Sequence, residues 1–260
     1  MIRKDVDWQG LRATFGRAAP FPHVVIDDFF EPELAAALER EIPPFDDPGW
    51  WEYSNPLEEK RALNQWDRFP PASYASFYYL SCEAFLVGLR VLTGIGDLRA
   101  DTGLHGGGWH LHGPGGKLNV HLDYSIHPKL HLERRLNLIV YLTSGWNPAW
   151  GGALGFWSHD AQSEKPRALV TSVECRFNRA VIFDTTQHSW HGLPEPITSP
   201  PGVCRKSIAT YYLSAPRAST PDRGKALYAP YGEQARDQHV LDLIRQRADV
   251  RTAAKTYRSK

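Results

Sequence analysis

Residues 121–131, HLDYSIHPKLH, hold three of the chain's 11 histidines and one aspartate. His121 and Asp123 are spaced i, i+2. On a strand, both side chains therefore point to the same face, with Cα atoms roughly 6–7 Å apart. An imidazole nitrogen and a carboxylate oxygen can then converge on one metal ion. Two such ligands do not close a site, so a third is expected from elsewhere in the chain, and H-x-D alone also fits a surface pair.

A second histidine-containing segment, FDTTQHSWHGLPEP at 183–196, supplies His188 and His191 as candidates for the third ligand. Two histidines and one carboxylate on one face of an ion are typical of non-haem iron(II) oxygenases, because open positions remain for cosubstrate and dioxygen. Side chains three residues apart on a strand face opposite ways, so at most one of the two histidines is expected to bind. Further on, Arg205 begins a predicted strand, where its guanidinium could hold a carboxylate.

Composition excludes several classes of protein. The chain has 260 residues, of which 42% are hydrophobic, enough for one sizeable core or two small ones. The net charge of +1 gives no basic field for nucleic acid. Three cysteines far apart argue against a disulfide framework and favour a reducing cytoplasm. No stretch approaches the roughly 18 apolar residues of a membrane span, and no signal peptide is apparent, so we expect a cytoplasmic protein without nucleic-acid or membrane partners.

The order of predicted elements favours a β-rich fold. A strand at 22–30, a helix at 31–42, a breaker-rich loop at 43–56 and a helix at 73–95 precede residue 98. After Leu98, short apolar runs alternate with Gly, Pro and Asn, and no helical pattern separates them, which predicts an antiparallel sandwich or barrel. The predicted strands lie within 107–123, 135–143, 151–158, 168–175, 179–186 and 206–214.

These segments resemble the prolyl-4-hydroxylase-like iron(II)/2-oxoglutarate-dependent dioxygenases. The resemblance rests on HLD (121–123), on 134–157, 178–196 and 205–213, and on the entry segment PHVVIDDFFEPELAAALEREI. It implies a mainly β fold with flanking helices and a double-stranded β-helix (jelly-roll, cupin-like) core. We expect residues 1–260 to form a single domain. Its expected parts are a helical N-terminal layer (about 20–97), a β core (about 98–216) and a C-terminal helix (about 230–255).

The resemblance also implies roles for individual residues. His121, Asp123 and His191 match the iron ligands, and His191 is favoured over His188 because the family's distal histidine opens an H-G-x-P pattern. Arg205 matches the arginine that pairs the far carboxylate of 2-oxoglutarate, and Tyr141 matches a tyrosine that supports it. The implied cofactor and cosubstrates are Fe(II), 2-oxoglutarate and O2, with ascorbate as a further candidate.

One departure from the family concerns a tyrosine that often precedes the H-x-D motif by about ten residues. Leu111 and His112 stand near that place, so His112 is expected to face the cosubstrate or the substrate. Four further histidines near these motifs have no motif support and are expected in loops or on the surface, where they bind no metal. They are His105, His110, His127 and His131.

The expected reaction is hydroxylation of an unactivated C–H bond, with release of succinate and CO2. A carboxylate at Asp123 disfavours halogenation, while desaturation and ring closure stay open. Family analogy points to a prolyl or other amino-acyl residue, or to a small amino-acid-like metabolite. Segments 49–66 and 124–135 are candidate linings, with a lid of Trp50, Trp51, Tyr53, Arg61 and Asn64. The alternative is a jelly-roll metal protein that is no oxygenase: a zinc or manganese hydrolase, an isomerase or a binding module.

Overall fold

The computed structural model describes residues 2–3 and 6–256, which form two antiparallel β-sheets with flanking helices. The α-helices are α1 (Trp8–Arg17), α2 (Pro32–Glu41), α3 (Pro71–Ser81), α4 (Glu83–Thr93) and α5 (Gln238–Ala248). The early strands are β1 (His23–Ile26), β2 (Trp51–Asn55), β3 (Glu58–Leu63), β4 (Arg99–Ala100), β5 (Gly108–His112), β6 (Lys117–Leu118) and β7 (His121–Leu122). The later strands are β8 (Glu133–Tyr141), β9 (Leu154–Asp160), β10 (Lys165–Val173), β11 (Ala180–Asp184), β12 (His191–Gly192), β13 (Arg205–Ser214) and β14 (Leu227–Tyr228).

The larger sheet has the strand order β1-β11-β8-β13-β5-β3-β2, with β4 paired to β13 and β6 to β3. Alternation along its central strands separates two faces. Leu138, Val140 and Ile208 pack with α1–α4 in the main hydrophobic core. The residues between them, such as Ile139 and Ser207, line a cavity on the opposite face. One face of this sheet is therefore structural, and the other carries the side chains that can do chemistry.

The smaller sheet covers that second face. Its strand order is β10-β9-β12-β7-β14, and its apolar side chains, including Leu154 and Phe156, form a separate core with Tyr141, Val181 and Phe183 of the larger sheet. The short strand β12 pairs with β7 so that His191 lies directly opposite His121. The two histidine-containing segments, about 70 residues apart in sequence, thus meet at the centre of the smaller sheet.

The predicted mainly β fold with flanking helices is confirmed, and the six predicted strand regions after Leu98 all contain strands. Region 107–123 holds three short strands in place of one. The N-terminal part is not a purely helical layer, because β1, β2 and β3 join the larger sheet. The loop predicted at 43–56 ends in β2, whose hairpin turn is fixed by the Asn55 side chain accepting hydrogen bonds from the amides of Leu57 and Glu58.

Two helix predictions need correction. The single helix expected at 73–95 is two helices, α3 and α4, bent by 52° at Cys82, whose extended backbone ends α3. The bend lets both helices turn apolar residues such as Phe77 and Phe85 into the same core. The C-terminal helix expected at about 230–255 is shorter, since α5 is preceded by a 3-10 turn, Gly232–Arg236, and followed by another, Ala253–Thr256.

Among the described residues, no single helix is long and apolar enough to cross a membrane. The bent pair α3 and α4 reaches the required length and composition only when the two helices are taken together.

Candidate active site

Three potential metal ligands converge between the sheets. His121 lies on β7, Asp123 follows directly after that strand, and His191 lies opposite on β12. One ligand atom from each residue lies within 4.8 Å of the other two. His121 Nε2 is 3.8 Å from Asp123 Oδ1, and His191 Nε2 is 3.4 Å from Asp123 Oδ2. The structure thus brings together the three residues selected from the sequence.

Backbone carbonyls orient both imidazoles in the same way. The Nδ1 of His121 lies 2.9 Å from the Asn119 carbonyl oxygen, and the Nδ1 of His191 lies 2.8 Å from the Ser189 carbonyl oxygen. A carbonyl only accepts, so each Nδ1 carries the proton and each Nε2 presents a lone pair. Burial lowers the pKa of His121 to about 3, with a further contribution from His191, and burial also lowers the pKa of His191. Both rings are therefore neutral and able to bind a cation.

The Asp123 carboxylate is held ionised by its surroundings. Burial by itself would raise its pKa, but the charge of Arg134 and the two histidine rings keep that pKa below its ordinary range. Arg134 lies 3.1 Å from Oδ2, and the Asn137 amide donates a 2.8 Å hydrogen bond to the same oxygen. The Arg134 guanidinium itself lies 3.3 Å from the centre of the Tyr211 ring. Two lone pairs and one carboxylate thus face one another, an arrangement that fits a divalent cation.

The sequence reasoning missed Arg134 and Asn137. Both are buried on β8, within the otherwise apolar run RRLNLIVYL. A signal was present, because a polar side chain inside a buried strand needs a partner. The apolar residues of this run predict a buried strand, and its polar exceptions indicate that the strand lies beside a polar or charged partner.

A second polar group surrounds Arg205 at the start of β13. Arg205 is buried, its Nε donates a 2.7 Å hydrogen bond to the Gly152 carbonyl, and its guanidinium lies 4.7 Å from the centre of the Tyr141 ring. His112 is the direct neighbour of Arg205 across the β13–β5 ladder. The Tyr141 hydroxyl and both His112 ring nitrogens are buried and have no hydrogen-bond partner among the described residues. A cation beside unsatisfied polar atoms fits a carboxylate-bearing ligand.

Electrostatics agree with that interpretation. Burial raises the pKa of Tyr141 to about 12, although Arg205 opposes the shift, so the hydroxyl keeps its proton and can donate. Burial, and then the charge of Arg205, holds the pKa of His112 far below its ordinary value. His112 is therefore a neutral ring beside a cation.

One cavity of about 730 Å³ contains the metal-ligand triad together with Arg205 and His112. Of the residues expected as a lid, Trp51, Tyr53 and Asn64 line it, as do Tyr124 and Arg134 from the second candidate segment. The other two expected lid residues lie elsewhere. Trp50 packs in the main core, and Arg61 forms ion pairs with Glu52 and Glu59.

The positions of the other histidines agree only in part with the prediction. His188 lies outside the triad, and its ring stacks on His159 at 4.1 Å. His131 is exposed, as expected. His105 and His110 line the cavity, and His127 lies in a loop, where it is buried 3.5 Å from Asp101. The expectation of a loop or surface position is therefore wrong for His110, which lies on β5.

Residues near the C-terminus complete the cavity. Tyr228 on β14 pairs with His121 on β7, and its ring stacks on the His121 imidazole at 5.1 Å. Its hydroxyl lies 3.0 Å from the buried carboxylate of Glu58, which also binds Arg247 of α5 at 2.6 Å and Lys60 at 3.3 Å. This buried network joins the β2–β3 hairpin to the C-terminal segment beside the triad.

Comparison with known proteins agrees with the geometry. Residues 107–213 match the family model of the 2OG-Fe(II) oxygenase superfamily, and this segment contains the triad and Arg205. This segment is therefore similar to that superfamily, and it makes up less than half of the chain. The protein is an enzyme of the dioxygenase type, and enzymes of this superfamily use Fe(II) and 2-oxoglutarate. A search of the curated proteins found no match.

Solved structures show that this oxygenase has the fold of prolyl hydroxylases. A prolyl-4-hydroxylase from Pseudomonas putida shares 19% identity with a TM-score of 0.54, and the match covers 80% of this chain and 100% of that one. A prolyl hydroxylase from Trichoplax adhaerens, solved with a peptide fragment of hypoxia inducible factor, shares 14% identity with a TM-score of 0.56, over 79% and 89%. SnoN, an alpha ketoglutarate dependent epimerase from nogalamycin biosynthesis, shares 13% identity with a TM-score of 0.50, over 85% of each chain. The predicted jelly-roll core is therefore confirmed.

Proposed function

We propose that this oxygenase hydroxylates an unactivated C–H bond of a prolyl or other amino-acyl residue, or of a small amino-acid-like metabolite, while 2-oxoglutarate is converted to succinate and CO2. One observation carries the proposal. The triad of His121, Asp123 and His191 shares a cavity with Arg205, so a metal and a dicarboxylate can be held side by side.

In this proposal His121 and His191 bind Fe(II) through Nε2, and Asp123 binds it through a carboxylate oxygen. The carbonyls of Asn119 and Ser189 fix the imidazole orientation, and such outer partners also raise ligand basicity. Asn137 and Arg134 hold the carboxylate in place and keep it ionised. When bound, iron with 2-oxoglutarate and dioxygen supplies the oxidising chemistry, and the protein positions the reactants and shields them.

Arg205 pairs the far carboxylate of 2-oxoglutarate, and the Tyr141 hydroxyl donates to the same group. This assignment accounts for two features of the cavity, the buried guanidinium of Arg205 and the buried Tyr141 hydroxyl, which has no hydrogen-bond partner among the described residues. His112, next to Arg205 on the sheet, is neutral and can donate one hydrogen bond to the cosubstrate.

The substrate enters beside Trp51 and Tyr53 of the β2–β3 hairpin. Trp51 is 56% exposed although it lines the cavity, so an apolar surface is available at the entrance. Structural neighbours include prolyl hydroxylases and an epimerase, which is why product analysis has to identify the outcome directly. Hydroxylation is favoured here because the metal site retains its carboxylate.

The test compares His191→Ala with His188→Ala in the full chain. With Fe(II) and 2-oxoglutarate under anaerobic conditions, the wild-type protein should develop the weak visible charge-transfer band expected of this cofactor pair. His191→Ala should lose the band and the succinate release, whereas His188→Ala, three residues away and outside the triad, should keep both. Equal behaviour of the two variants, or a protein that binds zinc and gives no band, would reject the assignment.

A second arm of the test concerns Arg205. Arg205→Met should raise the KM for 2-oxoglutarate by about 100-fold, because a charge-assisted pair in a buried site contributes roughly 3 kcal/mol. The exposed Arg176→Met serves as the control, since Arg176 pairs with Asp27 far from the cavity lining. Mass spectrometry of products from a peptide, amino-acid and metabolite screen then distinguishes addition of one oxygen atom from loss of two hydrogens.

A further inference from the structure

The side chains that line the cavity carry an excess of positive charge. Five cationic residues line it, against the two carboxylates of Glu52 and Asp123. The cations are Lys60, Arg134, Arg205, Lys225 and Arg247. Asp123 is neutralised by Arg134 at 3.1 Å, and Glu52 lies 3.5 Å from Arg61, which is outside the lining. The excess therefore lies with the other four cations.

Two of these four are paired with one carboxylate. Glu58, buried behind the lining, binds both Arg247 and Lys60. Arg205 is assigned to 2-oxoglutarate in the proposed function. Lys225 is different, because no carboxylate lies within ion-pair distance of its ammonium group among residues 2–3 and 6–256.

Lys225 is partly buried, and burial, followed by the charge of Arg247, lowers its pKa. A lysine that loses hydration without gaining a partner is unfavourable, and proteins usually pair such charges. It is held in place by its neighbours. The Arg223 carbonyl accepts hydrogen bonds from the amides of Ser125 and Ile126, and the Arg223 guanidinium donates to the Asp123 carbonyl at 2.6 Å. The segment carrying Lys225 therefore runs alongside the exit from the metal-binding motif.

Two neutral hydrogen-bonding groups, Tyr124 and His105, also line the cavity. The Tyr124 side chain is 6% exposed, and its buried hydroxyl has no hydrogen-bond partner among the described residues. The His105 ring packs 5.4 Å from Tyr124, and burial, followed by the charges of His127 and Lys225, lowers the pKa of His105 to about 4. The buried Asp101 accepts a hydrogen bond from the His105 amide and lies 3.5 Å from His127. Lys225, His105 and Tyr124 thus offer a cation and two neutral groups.

We propose that the substrate of this oxygenase carries an anionic group, a carboxylate or a phosphate, which binds in a subsite formed by Lys225, His105 and Tyr124. The conclusion that the bound molecule is the substrate rests on the proposed function, whereas the existence of the anion subsite does not. It favours a free acid or a phosphorylated metabolite over an internal residue of a neutral peptide, because an uncharged backbone would leave Lys225 unpaired. A cationic substrate group is disfavoured by the same excess of charge.

The experiment uses the full chain loaded anaerobically with Fe(II) and 2-oxoglutarate, so that Arg205 is already engaged. Calorimetry at constant ionic strength measures the binding of three probes: inorganic phosphate, acetate and the neutral acetamide. The variants are Lys225→Met, Lys225→Arg, which keeps the charge, and Lys165→Met, which changes an exposed lysine on β10. Circular dichroism and melting temperature verify that each variant is folded.

We expect saturable binding of at least one anion, no binding of acetamide, and a loss of about tenfold or more in Lys225→Met, since a charge-assisted contact contributes at least about 1.4 kcal/mol. Lys225→Arg and Lys165→Met should bind the anion within about threefold of wild type. Tighter binding of acetate indicates a carboxylate substrate, and tighter binding of phosphate indicates a phosphorylated one. The proposal is overturned if neither anion binds better than acetamide, or if Lys225→Met binds as well as wild type.

The charge-transfer band of the same samples distinguishes this proposal from the proposed function. If the band is absent but Lys225→Met still weakens anion binding, the subsite is supported and the 2-oxoglutarate oxygenase function is rejected. If the band is present but Lys225→Met does not change anion binding, the oxygenase function is supported and the subsite is rejected.

Discussion

The buried ion pair between Glu58 and Arg247 should contribute strongly to stability, and Arg247→Met tests it. The Glu58 side chain is fully buried, and Arg247 contacts it at 2.6 Å. Burial opposes ionisation, but Lys60 and Arg247 lower the pKa of Glu58 from 4.5 to about 2. That difference corresponds to about 3 kcal/mol of stabilisation at neutral pH. Lys60 remains at 3.3 Å in the variant, so we expect the free energy of unfolding to fall by about 2–3 kcal/mol.

The pH dependence has a defined sign. Because the folded pKa lies below the unfolded one, the stabilisation is present above about pH 4.5 and is lost as the pH falls through about 2. We therefore expect urea unfolding to show a large difference in the free energy of unfolding between wild type and Arg247→Met at pH 6. The difference should be smaller at pH 3.5. The double variant Glu58→Gln, Arg247→Met should show the same stability deficit at both pH values, since residue 58 then has no carboxylate to titrate.

The control is Arg245→Met on the same helix. Arg245 pairs with Asp242 on the surface, where an ion pair contributes at most about 1 kcal/mol. The buried pair does not stabilise the protein if Arg247→Met lowers the free energy of unfolding no more than Arg245→Met does. The same conclusion follows if Arg247→Met lowers that free energy equally at both pH values.

Three further predictions concern the metal and cosubstrate sites. A Cβ at Gly192 would lie 2.8–2.9 Å from backbone atoms of residues 118–120, so Gly192→Ala should displace His191 and reduce Fe(II) affinity. Gly96→Ala, with open space around it, should leave the affinity unchanged, and equal affinities of the two variants would contradict this prediction. Asn137→Ala should weaken Fe(II) binding by about 10–100-fold, because the amide that orients Asp123 is lost, and equilibrium metal titration with Asn64→Ala as a control measures it. In the absence of 2-oxoglutarate, His112→Leu should raise the melting temperature, because it removes two unsatisfied buried nitrogens. The same variant should reduce the stabilisation that added 2-oxoglutarate gives. A lower melting temperature would show that His112 has a structural partner.

Local sequence patterns predicted much of the fold and the centre of the site. The i, i+2 spacing of His121 and Asp123 and the H-G-x-P context of His191 identified the three residues that converge. Short apolar runs between Gly, Pro and Asn identified strand regions in both sheets, but not β2, β3 or β14. These signals succeed because strand geometry fixes which side chains share a face.

The remaining features depend on contacts that are distant in sequence. The strand β2 lies in a breaker-rich segment, and it forms because β3 pairs with it. Arg134 and Asn137 point to Asp123 only after β8 has packed beneath β7. Arg247 reaches the cavity from a helix whose charged sequence looks like a solvated surface. The single-domain organisation, the cytoplasmic location and the roles of the site residues stay predictions.

The position of β14 also determines which strand forms the edge of the smaller sheet. Strand β14 is the last strand of that sheet and pairs with β7, the strand that carries His121. Residues 107–213 end before β14, so a fragment cut to that range would leave β7 as an edge strand with unpaired backbone groups. Exposed edges of this kind recruit strands from other molecules, and very short edge strands do so less readily. The two-residue strand β14 thus moves the sheet edge away from the metal-binding strand, as well as lining the cavity.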